Sequence, residues 1–255
     1  MVEVEPFRLQ AILFDADDTL FPTTDYSKRA WRQGREDLKD ALESEDRMVS
    51  SKRIKKAHSQ VLHEKGSDNK HQFEDLVTKI GIEKHLNAKF ASAAVVGYRQ
   101  ITPSLKPYPR ATSTLKRLGR KLGYRIYGVS KGDGMNQWIK LRLSGLTNLL
   151  DDAFVTGCYG YNEKSEEFYK KVLENTGLDG RYCLMIGDNI DRDINPARKC
   201  GIHTARVLTG KYKKGKAGEE ADYVIRGLRG VFGVIKKIEK AENDKLKTAI
   251  DNLVK

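Results

Sequence analysis

Cysteine is scarce in this chain of 255 residues: there are three, Cys158, Cys183 and Cys200, scattered and odd in number. That excludes a disulfide framework, and because none sits in a Cys-x-x-Cys pair it also argues against a thiolate metal centre. The five histidines are dispersed and form no metal-ligand pair at helical spacing, so each reads as a single exposed side chain. No apolar run is long enough to span a bilayer. The opening "MVEVEPFRLQ" lacks the basic and then apolar order of a signal peptide. These absences together predict a cytoplasmic protein with reduced thiols and no membrane partner. Trp31 and Trp138 are the sole tryptophans and read as packing residues rather than a base-stacking platform.

Charge, by contrast, is abundant. Charged residues make up 32% of the chain against 39% hydrophobic, a balance that reads as globular, and the formal net charge is +12. A basic surface attracts anions such as nucleic acid, acidic lipid or phosphorylated metabolites. The local clusters "SKRIKK" (51–56) and "GKYKKGK" (210–216) are not interleaved with the aromatics that a single-strand groove uses, which argues against nucleic acid as the main partner. The length suffices for one large domain or two smaller ones.

Two patterns divide the chain. From about Tyr26 to Thr102 there is little strand signal, and four segments have helical periodicity, broken at Gly66–Asp68 and at Gly81. Before and after that block, strands alternate with helices: Ala11–Phe14, Tyr124–Ser130, Asp152–Gly157, Tyr182–Asp188, His203–Leu208 and Ala221–Ile225 read as strands. Such β-α-β alternation implies a parallel sheet flanked by helices. The expected fold is therefore α/β, with a Rossmann-like parallel sheet built from residues 1–22 and 105–255, and an all-α domain of residues 23–104 inserted after the first strand. The segment from Arg229 onward reads as a charged helix with Ile238, Leu246, Ala249, Ile250 and Leu253 as apolar anchors; it packs on the core, pairs with another subunit or frays.

In open parallel sheets, ligands bind beyond the carboxyl ends of the strands. What the chain delivers there is distinctive. "AILFDADDTL" runs an apolar strand into Asp15 and Asp17; "YGVS" ends in Ser130; Lys164 follows "DAFVTG"; and "YCLMIGD" ends in Asp188, with Asp191 and Asp193 just beyond. Four separate segments thus bring acids, a hydroxyl and a lysine to one rim. Asp191 rivals Asp193 for the last acidic place, and the following Ile194 favours Asp193. Asp18 reads as structural rather than catalytic.

These motifs resemble those of the haloacid dehalogenase superfamily, in its phosphatase branch. An apolar strand followed by Asp-x-Asp-x-Thr is matched by "ILFDADDTL", a strand ending in Ser or Thr by "YGVS", a lysine ahead of a helix by "NEKSEEFYKK", and Gly-Asp-x-x-x-x-Asp by "GDNIDRDI". The chain departs from the family pattern in having Ser165, not proline, after the lysine. An inserted helical cap is also a family feature, and "NQWIKLRL" adds a likeness to archaeal-type phosphatases of small sugar phosphates or glyceraldehyde 3-phosphate.

The resemblance implies a Mg²⁺-dependent phosphatase acting on a small phosphorylated metabolite of sugar-phosphate, glyceraldehyde-3-phosphate or phosphoglycolate type. Asp15 is then the nucleophile and Asp17 the general acid and base. The Asp15 side chain, the Asp17 backbone carbonyl and the Asp188 side chain hold Mg²⁺, a hard cation that takes oxygen ligands. Ser130, the Lys131 amide and Lys164 bind the phosphate, and Asp193 orients waters or Lys164. Dehalogenases of the family lack the second aspartate of the first motif, so Asp17 argues against halide chemistry. A phosphosugar mutase shares the core residues and stays open, as does a non-enzymatic nucleic-acid or protein-binding relative. Oligomeric state is open between monomer and homodimer.

Overall fold

A computed structural model describes residues 5–67, 69–101, 105–209 and 221–253. Asp68 and the basic cluster at 210–216 lie outside the described residues. The chain divides into two compact units, one of Met1–Pro22 with Lys106–Lys255 and one of Thr23–Leu105.

The first unit is a sheet of six parallel strands. These are β1 (Ala11–Asp15), β2 (Arg125–Ser130), β3 (Asp152–Val155), β4 (Cys183–Gly187), β5 (His203–Val207) and β6 (Tyr223–Ile225). Their spatial order is β3-β2-β1-β4-β5-β6. All five neighbouring pairs are parallel, so every strand ends at the same rim. β1 lies between β2 and β4 and is buried along its whole length. A strand covered on both faces must be apolar without alternation, which is why "AILF" precedes the acids. One face of the sheet packs Leu13, Val129, Phe154 and Met185 against Phe168, Tyr169 and Val172. Those last three lie on the helix Glu166–Thr176, started by a hydrogen bond from the Phe168 amide to the Ser165 hydroxyl.

Some boundaries differ from the sequence expectation. Tyr124 stays out of β2; its hydroxyl donates to Glu239 Oε1 (3.0 Å). After Val155 the chain tightens into a 3-10 turn at Thr156–Cys158, which shortens β3. The long C-terminal helix, Val231–Leu253, packs on the core through its first half: Val231, Val234, Ile235 and Ile238 are buried, whereas Ala249 is exposed. It also binds the segment before β1, since Asn243 accepts from the Phe7 amide (2.7 Å) and Glu239 from the Leu9 amide (3.1 Å). Among the described residues no helix is long and apolar enough to cross a membrane.

Among the described residues the second unit holds four α-helices: α1 (Thr23–Glu43), α2 (Ser51–Lys65), α3 (Gln72–Lys79) and α4 (Asn87–Gln100). On α1 the buried residues are Tyr26, Ala30, Gly34, Leu38 and Leu42, one every four positions, which makes a single inward stripe. Leu38 and Leu42 meet Ile54 and Ala57 of α2, Phe73 and Leu76 of α3, and Phe90 and Ala94 of α4 in one apolar cluster. One expectation is corrected here: His58 is not an exposed histidine but is buried on α2, stacked on Phe73 with ring centroids 5.5 Å apart. A helix that carries its apolar stripe and a histidine on the same face buries the histidine with the stripe.

Gly34 permits the close approach of α1 and α4, because a Cβ there would stand 2.6 Å from the Ala94 carbonyl oxygen. Alanine is the better helix former by about 1 kcal/mol, but overpacking against backbone costs about 1–3 kcal/mol. Gly34→Ala should therefore destabilise the protein by up to about 2 kcal/mol, read from the midpoint of urea unfolding.

Candidate active site

β1 and β4 are neighbours although they are distant in sequence, and the carboxyl ends of such strands form the crevice of a doubly wound sheet. Asp15 closes β1 and pairs in register with Val129, so Ser130 lies one residue further along β2. Phe14 pairs with Ile186, which brings Gly187 and Asp188 level with Asp15 and just beyond it. Asp193 returns to the rim because the chain winds into a π-helical turn, Ile190–Ile194, directly after β4. Asn189 starts that turn by accepting from the Asp191 and Arg192 amides (3.0 and 3.1 Å). Gly187 is required by this return, since a Cβ there would stand 2.4 Å from the Asp193 carboxyl group.

Asp15, Asp188 and Asp193 are all buried, and one carboxylate oxygen of each lies within 4.8 Å of the others. Lys164 enters this group from the loop before the helix Glu166–Thr176 and is itself buried. Its ammonium donates to Asp15 Oδ1 (2.5 Å) and to Asp193 Oδ1, and approaches the Val129 carbonyl (3.5 Å). The other Asp193 oxygen accepts from the Asn189 amide (3.0 Å). Asp191 is exposed, so of the two rivals it is Asp193 that joins the cluster. Lys170 and Lys171 instead pair along their own helix with Glu166 (2.6 Å) and Glu174 (2.8 Å).

Charge balance decides what the group can hold. Burial, together with Asp193, pushes the Asp15 carboxyl well above the usual carboxylate range; Lys164 opposes this, and Asp188 and Asp17 add to it. Burial would lower the Lys164 ammonium, but Asp15 and Asp193 outweigh it and hold it well above its ordinary value. Three carboxylates thus face one fixed ammonium. Arg206 lies near, at the end of β5, and its Nε donates to the Asp188 backbone carbonyl (3.2 Å). An all-oxygen donor set rich in carboxyl groups fits a hard divalent cation such as Mg²⁺.

The remaining expected residues surround this group. The Ser130 hydroxyl is buried with no hydrogen-bond partner among the described residues, as is the Thr19 hydroxyl. A buried hydroxyl without a partner is costly unless a ligand completes it. Lys131 is half-buried, and its ammonium pairs with Glu163 (2.5 Å). Asp17 is more open than Asp15 and lies in a tight turn whose residue Asp18 has φ 59°. Asp and Asn tolerate that left-handed conformation better than most side chains, which accounts for a third acid with a structural role.

Two residues that sequence reasoning did not single out hold Asp17. Lys140 Nζ donates to both its oxygens (2.8 Å each), and Gln137 Nε2 to Oδ2 (3.1 Å) as well as to the Lys131 carbonyl (2.7 Å). Both come from the helix Gly134–Leu143, three residues apart and so on one face. The signal was present in "NQWIKLRL", as a Gln and a Lys at that spacing just after the Ser130 strand. Arg206 was not singled out either, although it stands as a lone cation inside the apolar run "HTARVL".

Comparison with known proteins agrees with this geometry. Residues 9–201 match the family model for haloacid dehalogenase-like hydrolase. The chain is 30% identical over 236 residues to glyceraldehyde 3-phosphate phosphatase of Methanocaldococcus jannaschii, covering 91% of this chain and 99% of that one. It is 27% identical over 237 residues to the glyceraldehyde 3-phosphate phosphatase of Methanopyrus kandleri, with the same coverage of 91% and 99%. Among solved structures, a HAD phosphatase from Thermococcus onnurineus matches with a TM-score of 0.67 at 21% identity, over 89% of this chain and 98% of that one, a likeness of fold. The matched family model, the relatives that align along most of their length and the parallel sheet bearing an acidic rim agree: the chain belongs to the haloacid dehalogenase-like hydrolases.

Proposed function

We propose that this hydrolase is a Mg²⁺-dependent phosphatase that cleaves a small phosphorylated metabolite of the sugar-phosphate, glyceraldehyde-3-phosphate or phosphoglycolate type, through a phosphoryl group carried on Asp15. The observation that carries the reading is the buried triad of Asp15, Lys164 and Asp193 at the sheet rim. The relatives named glyceraldehyde 3-phosphate phosphatase support the substrate class.

Phosphate monoesters hydrolyse so slowly unaided that a catalyst supplies up to a ~10²¹-fold acceleration. A carboxylate nucleophile divides that barrier into two steps. In the first, an Asp15 oxygen forms a bond to phosphorus while the ester oxygen leaves and takes a proton from Asp17. In the second, Asp17 takes a proton from water, the water oxygen attacks phosphorus, and inorganic phosphate leaves with Asp15 restored. Lys164 is the proposed counter-charge to the phosphoryl oxygens, with Ser130 and the Lys131 amide as hydrogen-bond donors to them. Asp193 orients Lys164, and its two hydrogen-bonded oxygens support that role over direct metal binding. Asp15, Asp188 and the Asp17 carbonyl are the proposed Mg²⁺ ligands. Bound there, the metal supplies the positive charge that lets acids and a phosphate dianion share one site. Lys140 and Gln137 keep the Asp17 carboxyl in one orientation. The helical unit Thr23–Leu105 is the proposed cap: its insertion directly after the Asp15–Asp17 turn supports a role in choosing substrates and excluding water.

Phosphate release from para-nitrophenyl phosphate and a panel of small phosphate esters, with Mg²⁺ and with chelator, tests this reading. Asp15→Asn should lower release by at least about 10³-fold while circular dichroism stays unchanged; retained turnover removes the nucleophile assignment, and transfer of phosphate within a sugar without release points to a mutase. Mg²⁺ at about 100 times its dissociation constant should stabilise the wild type by about 2.7 kcal/mol in thermal unfolding. That gain should shrink in Asp188→Asn, and an equal gain in both proteins excludes Asp188 as a ligand. Lys140→Met should lower kcat about tenfold or more, a part of the ~10²–10⁴ that a positioned acid-base group contributes, and an unchanged kcat would separate Lys140 from the function of Asp17.

A further inference from the structure

Among the described residues two lysine or arginine side chains are buried, Lys164 and Arg206, and both reach the acidic rim of the sheet. Lys164 meets Asp15 and Asp193. Arg206 is on β5, only 7% exposed, and its Nε donates to the backbone carbonyl of Asp188 (3.2 Å). Burying a guanidinium forgoes its hydration, and an apolar side chain of similar volume would fill a buried strand without that loss. The neighbours of Arg206 in β5 follow this rule, since Ala205 and Val207 are both buried. The exception at Arg206 is aimed at the carbonyl it reaches.

The sheet register gives that contact its meaning. Gly187 is the last residue of β4 in register with β5, and its partner is Arg206 itself. Asp188 lies one residue past that pair, where the chain leaves β4 for the π-helical turn Ile190–Ile194. Through its Nε, Arg206 extends the hold of β5 on this chain by one residue. The segment after β5 holds the other acidic loop as well, because the Thr209 hydroxyl donates to the Asp18 carbonyl. Asp188 needs such a hold. One oxygen of its carboxylate shares a space of 4.8 Å with one oxygen each of Asp15 and Asp193. Carboxylates that close repel, and Asp188 would swing away unless its main chain were fixed.

Resting on the reading of Asp188 as a Mg²⁺ ligand, we propose that Arg206 is a positioning residue for Asp188: its Nε fixes the Asp188 main chain and so presents the carboxylate before the cation arrives. The charge of Arg206 acts in the opposite direction, because a guanidinium repels Mg²⁺. The sign of the effect on affinity therefore separates the two. Where fixing the main chain dominates, removing Arg206 weakens Mg²⁺ binding; where repulsion dominates, removing it tightens binding.

Isothermal titration calorimetry of the full chain with Mg²⁺ alone, without substrate, tests this. Arg206→Met should raise the Mg²⁺ dissociation constant about tenfold, the lower end of the ~10–100-fold that outer partners of metal ligands contribute. Two further variants separate donor from charge. Arg206→Gln removes the charge but keeps an N–H donor at the same place along the side chain, and should bind Mg²⁺ within about threefold of the wild type. Arg206→Lys keeps the charge but puts a methylene where Nε was, and should bind at least about threefold more weakly than Arg206→Gln. This pair decides the matter if Arg206→Met does not fold. Thr204→Val controls for lost stability. Thr204 lies on the same face of β5, two residues earlier, and its hydroxyl donates to Asp222 Oδ2 (2.8 Å). Thr204→Val should leave the dissociation constant within about twofold. An unchanged or lower dissociation constant in Arg206→Met overturns the proposal. So does Mg²⁺ binding by Arg206→Lys as tight as by Arg206→Gln, or a rise in Thr204→Val equal to that in Arg206→Met. No Mg²⁺ binding by the wild type overturns the reading of the acidic rim as a metal site, and the proposal with it.

Discussion

A single buried ammonium, that of Lys164, organises the rim of the sheet. It lies between Asp15 and Asp193, away from water, where an unpaired charge of either sign would be untenable. Removing the lysine would leave two carboxylates facing each other beside Asp188; removing either acid would leave the ammonium short of a partner. The loop before the helix Glu166–Thr176, the end of β1 and the π-helical turn after β4 are therefore held to one another by charge as much as by packing. Continuum and mutational work on buried ion pairs in general teaches that such arrangements are poor stabilisers compared with apolar packing. On the proposed function, such an arrangement is preorganisation, which fixes donor and acceptor positions before substrate arrives.

The surrounding fold accommodates this arrangement in small, specific ways. Gly187 leaves space for the Asp193 carboxyl group, and Asn189 starts the turn that brings Asp193 back. Asp18 accepts a left-handed backbone so that Asp17 can turn away from Asp15 toward Lys140 and Gln137. The two acids of one short motif consequently meet different environments. Asp15 is buried and faces Lys164, while Asp17 is more open and is held by a separate helix. Different surroundings are how two chemically identical side chains take different roles in one reaction.

The helical unit follows another logic. Its four helices bury one apolar stripe each and leave the basic residues outside, so most of its positive charge is an ordinary solvated surface. His58 is buried with the apolar stripe of α2 and His203 is partly buried, and there the reading of the histidines as exposed failed.

Strand and helix order, the parallel sheet, the split into two units and the acids, hydroxyl and lysine of the rim were legible in the linear chain. They depend on local periodicity and on side chains that immediately follow apolar strands, and both are properties of short segments. Lys140, Gln137 and Arg206 were not legible in the same way, because a polar residue on a helix or strand acquires a partner only when another segment is brought against it. The burial of His58 belongs to the same class. Sequence alone determined which side chains follow the apolar strands and so emerge at the strand ends. Tertiary structure alone decided which charges face each other, because Coulomb and hydrogen-bond energies depend on distances across the fold that no spacing along the chain sets.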